Sequence, residues 1–140
     1  MVVEAKKGKS GIPTGNAGEY FVMRELLKRG VDAQLADRNT KGYDVLVCRT
    51  GEATMRKIQV KTVRAGRWFV NLKDFDGDDL DQTTVYVLLG KNDSRNPVRH
   101  FIVNRKVKKG IYRSKSFKTI GQMPMKAVED YEDKWCVILK

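Results

Sequence analysis

The chain reads as a single α/β domain. Residues 16–29 (NAGEYFVMRELLKR) carry a helical period, the segments after residue 30 switch to a period of two, and 140 residues are the size of one ordinary domain with one hydrophobic core.

Residues 1–15 contain Gly8, Gly11, Gly15 and Pro13 with Lys6, Lys7 and Lys9, a composition with little to pack, and predict a mobile basic arm. Order is expected from Asn16, so the domain proper is residues 16–140. On a helical wheel of about 100° per residue, Tyr20, Val22, Met23, Leu26 and Leu27 fill one arc with Glu19 near its centre. Arg24, Glu25, Lys28 and Arg29 take the other side, and Gly30 suits a C-terminal cap. Residues 31–36 form a weak strand candidate, 37–42 a turn and 43–48 (YDVLVC) a strong strand. A turn at 49–54, with Gly51 and Glu52, leads into a returning strand at 56–63 (RKIQVKTV), which makes a hairpin. Residues 68–72 read as a short third strand. The aspartate-rich stretch 74–82 reads as a loop, and Thr83 to Leu89 as a buried strand rich in β-branched residues. Residues 100–103 make a further strand, 105–111 a short basic helix, and 113–122 an irregular segment. A helical turn or two at 125–131 and an apolar segment at 135–139 complete the chain. There is no internal repeat and no second domain.

Charge narrows the partner. With 28 Lys+Arg against 17 Asp+Glu the net charge is +11, which favours a polyanion, nucleic acid ahead of an anionic membrane. Seven basic residues lie between Arg105 and Lys118 with no acid among them: Arg105, Lys106, Lys108, Lys109, Arg113, Lys115 and Lys118. Arg64 and Arg67, just past the second hairpin strand, and Lys57 within it are placed to hold phosphates. Cys48 and Cys136, far apart among apolar neighbours, give neither a disulfide framework nor zinc spacing and read as buried free thiols of a reducing compartment. No apolar leader or membrane-length run is visible, so the expectation is a cytoplasmic protein with no membrane partner. The Asp74 to Asp81 run lacks calcium-loop spacing, because Gly77 is at the wrong offset and the twelfth position is Val85. His100 is the sole histidine and reads as structural, which argues against a Ser-His-Asp triad.

Four polar residues interrupt apolar patterns: Glu19 on the helix, Asp44 at the start of one hairpin strand, and Gln59 and Lys61 on the other. Burying such groups unpaired costs several kcal/mol, roughly, so their placement points to a site. Residues two apart on a strand share a face, which puts Gln59 and Lys61 together, and Asp44 can face the same side across the hairpin. Phosphodiester hydrolysis needs a hard cation held by oxygen ligands, a positioned water and a positive group, and these side chains could furnish them. Each also has a local explanation. Asn16 as N-cap would make Glu19 part of a capping box, Asp44 could be a turn residue, and Gln59 with Lys61 could be the solvated face of an edge strand.

The order helix-Glu, strand-Asp, strand-Gln-x-Lys resembles the PD-(D/E)XK nuclease superfamily. The matching segments are Gly18-Glu19-Tyr20, Gly42 to Val47 and Ile58-Gln59-Val60-Lys61-Thr62, and the resemblance covers about residues 16–90. It is most similar to the small members, archaeal Holliday-junction resolvases and compact restriction or homing endonucleases. Tyr43 stands in place of the family's proline, and Gln59 in place of the commoner carboxylate, which removes one negative charge. The resemblance implies a restriction-endonuclease-like αβββαβ core with a central mixed β-sheet flanked by helices, and a metal-dependent DNA endonuclease. In that reading Asp44 is the direct metal ligand, Glu19 a further ligand, Gln59 a carbonyl donor, and Lys61 the group that orients water or steadies developing charge. The implied cofactor is Mg2+, with Mn2+ able to substitute and no small-molecule cofactor. The partner is duplex or branched DNA, and cutting both strands would require a homodimer. The rival reading is a catalytically silent nucleic-acid-binding protein that keeps the fold.

Overall fold

The helix begins earlier than its apolar stripe suggests. In the computed structural model, which describes residues 11–37, 43–48, 55–75, 82–104, 111–113 and 119–139, α1 spans Ile12–Lys28. Gly11 is the N-cap, and Pro13 sits in the first turn, where its missing N–H costs nothing and its fixed φ suits the helix. Residues 12–15 therefore belong to the domain and not to a basic arm; residues 1–10 lie outside the described residues, as do residues 38–42 and 49–54, where turns are expected from the sequence. Asn16 is inside the helix, which removes the capping-box explanation of Glu19. At the other end Gly30 adopts φ 77°, Val31 N–H donates to Leu26 O at 3.0 Å and Gly30 N–H to Leu27 O at 2.9 Å. That is a Schellman closure, with glycine where a side chain would be strained. The buried ridge is Gly18, Val22 and Leu26, whereas Tyr20 and Leu27 are 62% and 53% exposed. Glu19 thus flanks the packed ridge instead of lying at its centre, because Gly18, with no side chain to weigh on a wheel, makes the close contact.

The strands are β1 (Asp32–Leu35), β2 (Val45–Cys48), β3 (Arg56–Val63), β4 (Trp68–Asn71), β5 (Gln82–Leu88), β6 (Arg99–Val103), β7 (Tyr112–Arg113) and β8 (Ile120–Met123). Five of them form a mixed sheet in the order β1-β2-β3-β5-β6, with β3 and β5 parallel and the other pairs antiparallel. The hairpin β2–β3 forms with Val45 opposite Ile58. The third predicted strand, β4, exists but leaves this sheet for a smaller one, ordered β4-β8-β7. β7 and β8 fall at the two ends of the segment 113–122, which reads as irregular in the sequence. Gly121 and Gln122 give β8 no apolar alternation to detect, yet Gly121 and Met123 point inward and are buried. Within the crossover from β3 to β5 the described residues form β4 and a 3₁₀ turn at Leu72–Phe75, where the αβββαβ pattern has a helix. Residues 76–81 of the aspartate-rich loop lie outside the described residues.

The alternation of β-strand side chains gives the large sheet two covered faces. On one, Val45, Val47, Ile58, Val85 and Ile102 pack under Val22 and Leu26 of α1 and under Ile138 of α3 (Cys136–Leu139). On the other, Tyr86, Phe101 and Val103 meet Trp68, Val70 and Met123 of the small sheet and Val128 of α2 (Met125–Val128). Trp68 anchors this second core: its indole N–H donates to Val87 O at 2.9 Å, and its ring meets Tyr86 and Phe101 edge-on at 5.4 and 5.6 Å. Cys48 is half-buried and Cys136 exposed, so the second thiol is not the buried one expected; it opens the short α3, whose inward residue is Ile138. Among the described residues no helix is long and apolar enough to cross a membrane.

His100, 3% exposed, lies against Trp135 with ring centroids 5.3 Å apart. Burial pushes its imidazole below the ordinary histidine value, and Glu25 and Asp133 only partly offset that. A depressed folded value means that, below the unfolded value near ~6.5, the unfolded chain binds the proton more readily and stability falls with acidification. The melting temperature should therefore drop between about pH 7 and pH 5.5, and drop less in His100→Phe. Glu132, held low by its Arg99 partner at 2.8 Å, contributes only at more acid pH. An identical slope in His100→Phe between pH 7 and 5.5 would refute the assignment.

Candidate active site

Asp44 occupies a junction of three strands. Its N–H donates to Ile58 O and its carbonyl accepts from Ala36 N–H, both at 2.8 Å, which ties it to β3 on one side and to the end of β1 on the other. Its Oδ2 accepts the Val60 N–H, also at 2.8 Å, so a carboxylate takes the place of a main-chain acceptor. The second oxygen, Oδ1, has no hydrogen-bond partner among the described residues. The turn reading of Asp44 does not describe this: the side chain is fixed by the hairpin itself.

That bond marks a notch. β2 pairs with β3 only over Val45–Val47 against Arg56–Ile58, so the later residues of β3 run on past the start of β2. The helix crosses this end in the opposite direction to β3, because Thr14 accepts from Arg64 Nε at 3.0 Å while Gly18 lies directly over Thr62. Glu19, next to Gly18, and Asp44 consequently line the same open cleft of about 390 Å³, together with Asn16, Tyr20, Asp37 and Tyr43.

Gln59 and Lys61 are not among the residues lining that cleft. Strand alternation places them on the opposite face of β3 from Ile58 and Val60, and extending the hairpin register by one position sets Asp44 across from Gln59 on that same face. Lys61 is level with Tyr86 of β5, at the border of the second core, and is half-buried. The structure thus brings Glu19 and Asp44 together in one cleft, and relates Gln59 and Lys61 to Asp44 only through the shared strand face. All four residues are half-buried.

The phosphate-holding candidates divide. Lys57 is exposed, with Nζ 5.2 Å from the centre of the Tyr43 ring at the cleft. Arg64 turns to the helix side, bonded to Thr14 Oγ1 at 3.0 Å and to Gly90 O at 3.4 Å, so it fastens the start of α1 and is not brought to Lys61. Arg67 lies on the small sheet, donating to Gln122 Oε1 at 3.4 Å. Arg105, Lys106, Lys108 and Lys109 lie outside the described residues. Sequence reasoning missed Asp37 and Tyr20. Asp37 reads as an ordinary turn residue, and its signal was its position just after β1, beside the Ala36–Asp44 bond.

The carboxylates lining the cleft, Glu19, Asp37 and Asp44, offer oxygen donors, the kind that could hold a hard cation such as magnesium. Among the described residues no group of three or more His, Cys, Asp or Glu is gathered closely enough to hold an ion by itself.

No protein-family model matches the chain, and no curated protein sequence does. Among solved structures the chain is similar to the bacterial homing endonuclease I-Ssp6803I, with a TM-score of 0.53 at 16% identity over 93% of this chain and 92% of that one. The likeness spans nearly the whole of both chains and is one of fold.

Proposed function

We propose that the chain is a magnesium-dependent DNA endonuclease of the PD-(D/E)XK type, acting through Glu19, Asp44, Gln59 and Lys61. The observation that carries this is Asp44, pinned by Val60 N–H through one oxygen and sharing a cleft with Glu19, on the strand face that bears Gln59 and Lys61. The fold shared with a homing endonuclease and the net charge of +11 support the same reading. Glu19, Asp44 and the Gln59 carbonyl would hold the ion. When bound, magnesium would supply charge stabilisation at the phosphate and acidify a water. The Lys61 ammonium would orient the attacking water and offset charge developing on phosphorus-bound oxygen. Lys57, beside the cleft, would hold a flanking phosphate. The test is incubation with supercoiled plasmid and with a synthetic four-way junction, with and without EDTA. Nicking that EDTA abolishes is expected; nicking that survives EDTA, or none in magnesium or manganese, counts against it.

Gln59 and the absence of a three-acid cluster among the described residues favour one second reading, a binding protein without turnover. Retained duplex affinity with no cleavage would select it. Two-strand cleavage would call for a second copy. Ile12, Tyr20 and Leu35 are exposed at the cleft, Leu27 is exposed further along α1, and this is the surface we assign to it. A monomer by sedimentation that cuts both strands in one encounter would contradict the dimer.

A further inference from the structure

The small sheet turns one face inward and leaves the other exposed. Trp68, Val70, Gly121 and Met123 point into the second core, so Phe69 and Asn71 of β4 and their register partners Gln122 and Ile120 of β8 point out. Phe69 is 64% exposed and Ile120 41%. Two cations border them, Arg67 at the start of β4 and Lys73 after its end, both exposed, and none of these outward residues is acidic. The amides are oriented: Asn71 Oδ1 accepts Lys73 N–H at 3.1 Å, and Gln122 Oε1 accepts from Arg67 Nη1 at 3.4 Å. Each bond holds the amide oxygen toward its donor and so turns the NH₂ group away from it.

We propose that this outer face of β4 and β8 enters the major groove of duplex DNA and reads base edges, with Arg67 as the reading side chain and Gln122 as the residue that positions it. The proposal rests on the nucleic-acid reading above and adds to it a surface for sequence preference. Strands about 4.8 Å apart fit a groove about 12 Å wide, and the face is two strands wide except where the short β7 joins β8 at Gly121 and Gln122. Arginine paired to guanine O6 and N7 is the commonest specific contact, amide NH₂ groups donate to base acceptors, and an exposed aromatic packs on a thymine methyl. β4 is an edge strand, so one side of the ribbon is unobstructed by a neighbour in its sheet. A second copy of the chain fits this face less well, because subunit interfaces concentrate apolar area at their centre whereas here Phe69 and Ile120 are interleaved with amides and bordered by cations. β4 follows β3 after a short turn, and the small sheet covers the same face of the large sheet that bears Lys61, which places the ribbon beside the notch.

The test is selection from a library of randomised duplexes in EDTA, where cleavage plays no part, using the full chain. The wild type should enrich a site. Arg67→Lys, which keeps the charge and loses the planar fork, and Gln122→Ala should each lower the preference for that site over random duplex by roughly tenfold, with random-duplex affinity within about twofold. Asp44→Asn should keep the preference. A protein that enriches a site yet never nicks plasmid would sink the nuclease reading and leave this one standing. Three results would overturn the proposal: no enrichment by the wild type, an unchanged site and preference in both face variants, or a dimer that Phe69→Ala converts to monomer with selectivity intact.

Discussion

Asp44→Ala and Lys61→Ala should each reduce metal-dependent nicking by at least about a hundredfold, a loss of about 2.7 kcal/mol of transition-state stabilisation. The two variants fail for different reasons, which makes them informative together. Removing the Asp44 side chain takes away a carboxylate and also strands the Val60 N–H, whose acceptor it is at 2.8 Å. That second effect costs about 1–3 kcal/mol of stability in a partly buried setting. Asp44→Asn separates the two, since an amide oxygen can still accept from Val60 while the negative charge is gone. Near-native melting with nicking still lost would place the effect in the chemistry, and recovery of activity in Asp44→Asn would place it in the hairpin. Lys61→Ala leaves no such orphan, so its melting temperature should stay close to wild type while the rate falls. Equal activity in both variants would mean that the nuclease lies elsewhere or is a contaminant.

The parts of this site that could be read from the chain are those written in strand alternation. Ile58, Val60 and Thr62 against Gln59 and Lys61 give the two faces of β3, and the short link to YDVLVC puts Asp44 at the correct end of the hairpin. Alternation gives the strands of the large sheet, whereas its mixed character is what the family resemblance implies and its order β1-β2-β3-β5-β6 is set by tertiary pairing. A wheel sets Glu19 at the centre of the apolar arc, whereas it flanks the packed ridge, because a wheel weighs side chains and the helix is seated by Gly18, which has none. The small sheet was half legible: Trp68 and Val70 alternate with polar or exposed neighbours, but β8 is held by pairing with β4 and by Met123, features set by tertiary contact and not by local pattern. Arg64 reads as a phosphate ligand on charge alone, and only the packing of α1 shows that its guanidinium is bonded to Thr14 and Gly90.

Gly18→Ala should be among the most destabilising single-methyl changes available in this chain. A Cβ at residue 18 would overlap the Thr62 hydroxyl and lie 2.7 Å from Thr62 Cβ and 2.8 Å from Cγ2. Rotating Thr62 cannot relieve this, because Thr62 Cβ is fixed by the β3 backbone, which is bonded to β5 in parallel register with Thr62 beside Val87. The helix must therefore lift from the sheet, giving up contacts of Val22 and Leu26 that are fully buried. Overpacking of this kind costs about 3 kcal/mol, which for a chain of this size lowers the melting temperature by roughly 10 °C. Thr62→Ala should recover only part of the loss in the double variant, since it removes Oγ1 and Cγ2 and leaves the 2.7 Å contact in place. Alone, Thr62→Ala should cost little, because its Oγ1 is buried with no hydrogen-bond partner among the described residues. The same displacement moves Glu19, the neighbour of Gly18, away from Asp44, so below its melting temperature Gly18→Ala should also need more magnesium for half-maximal nicking. Unchanged melting with unchanged metal dependence would show that α1 is not seated on β3 through Gly18, and the cleft shared by Glu19 and Asp44 would lose its support.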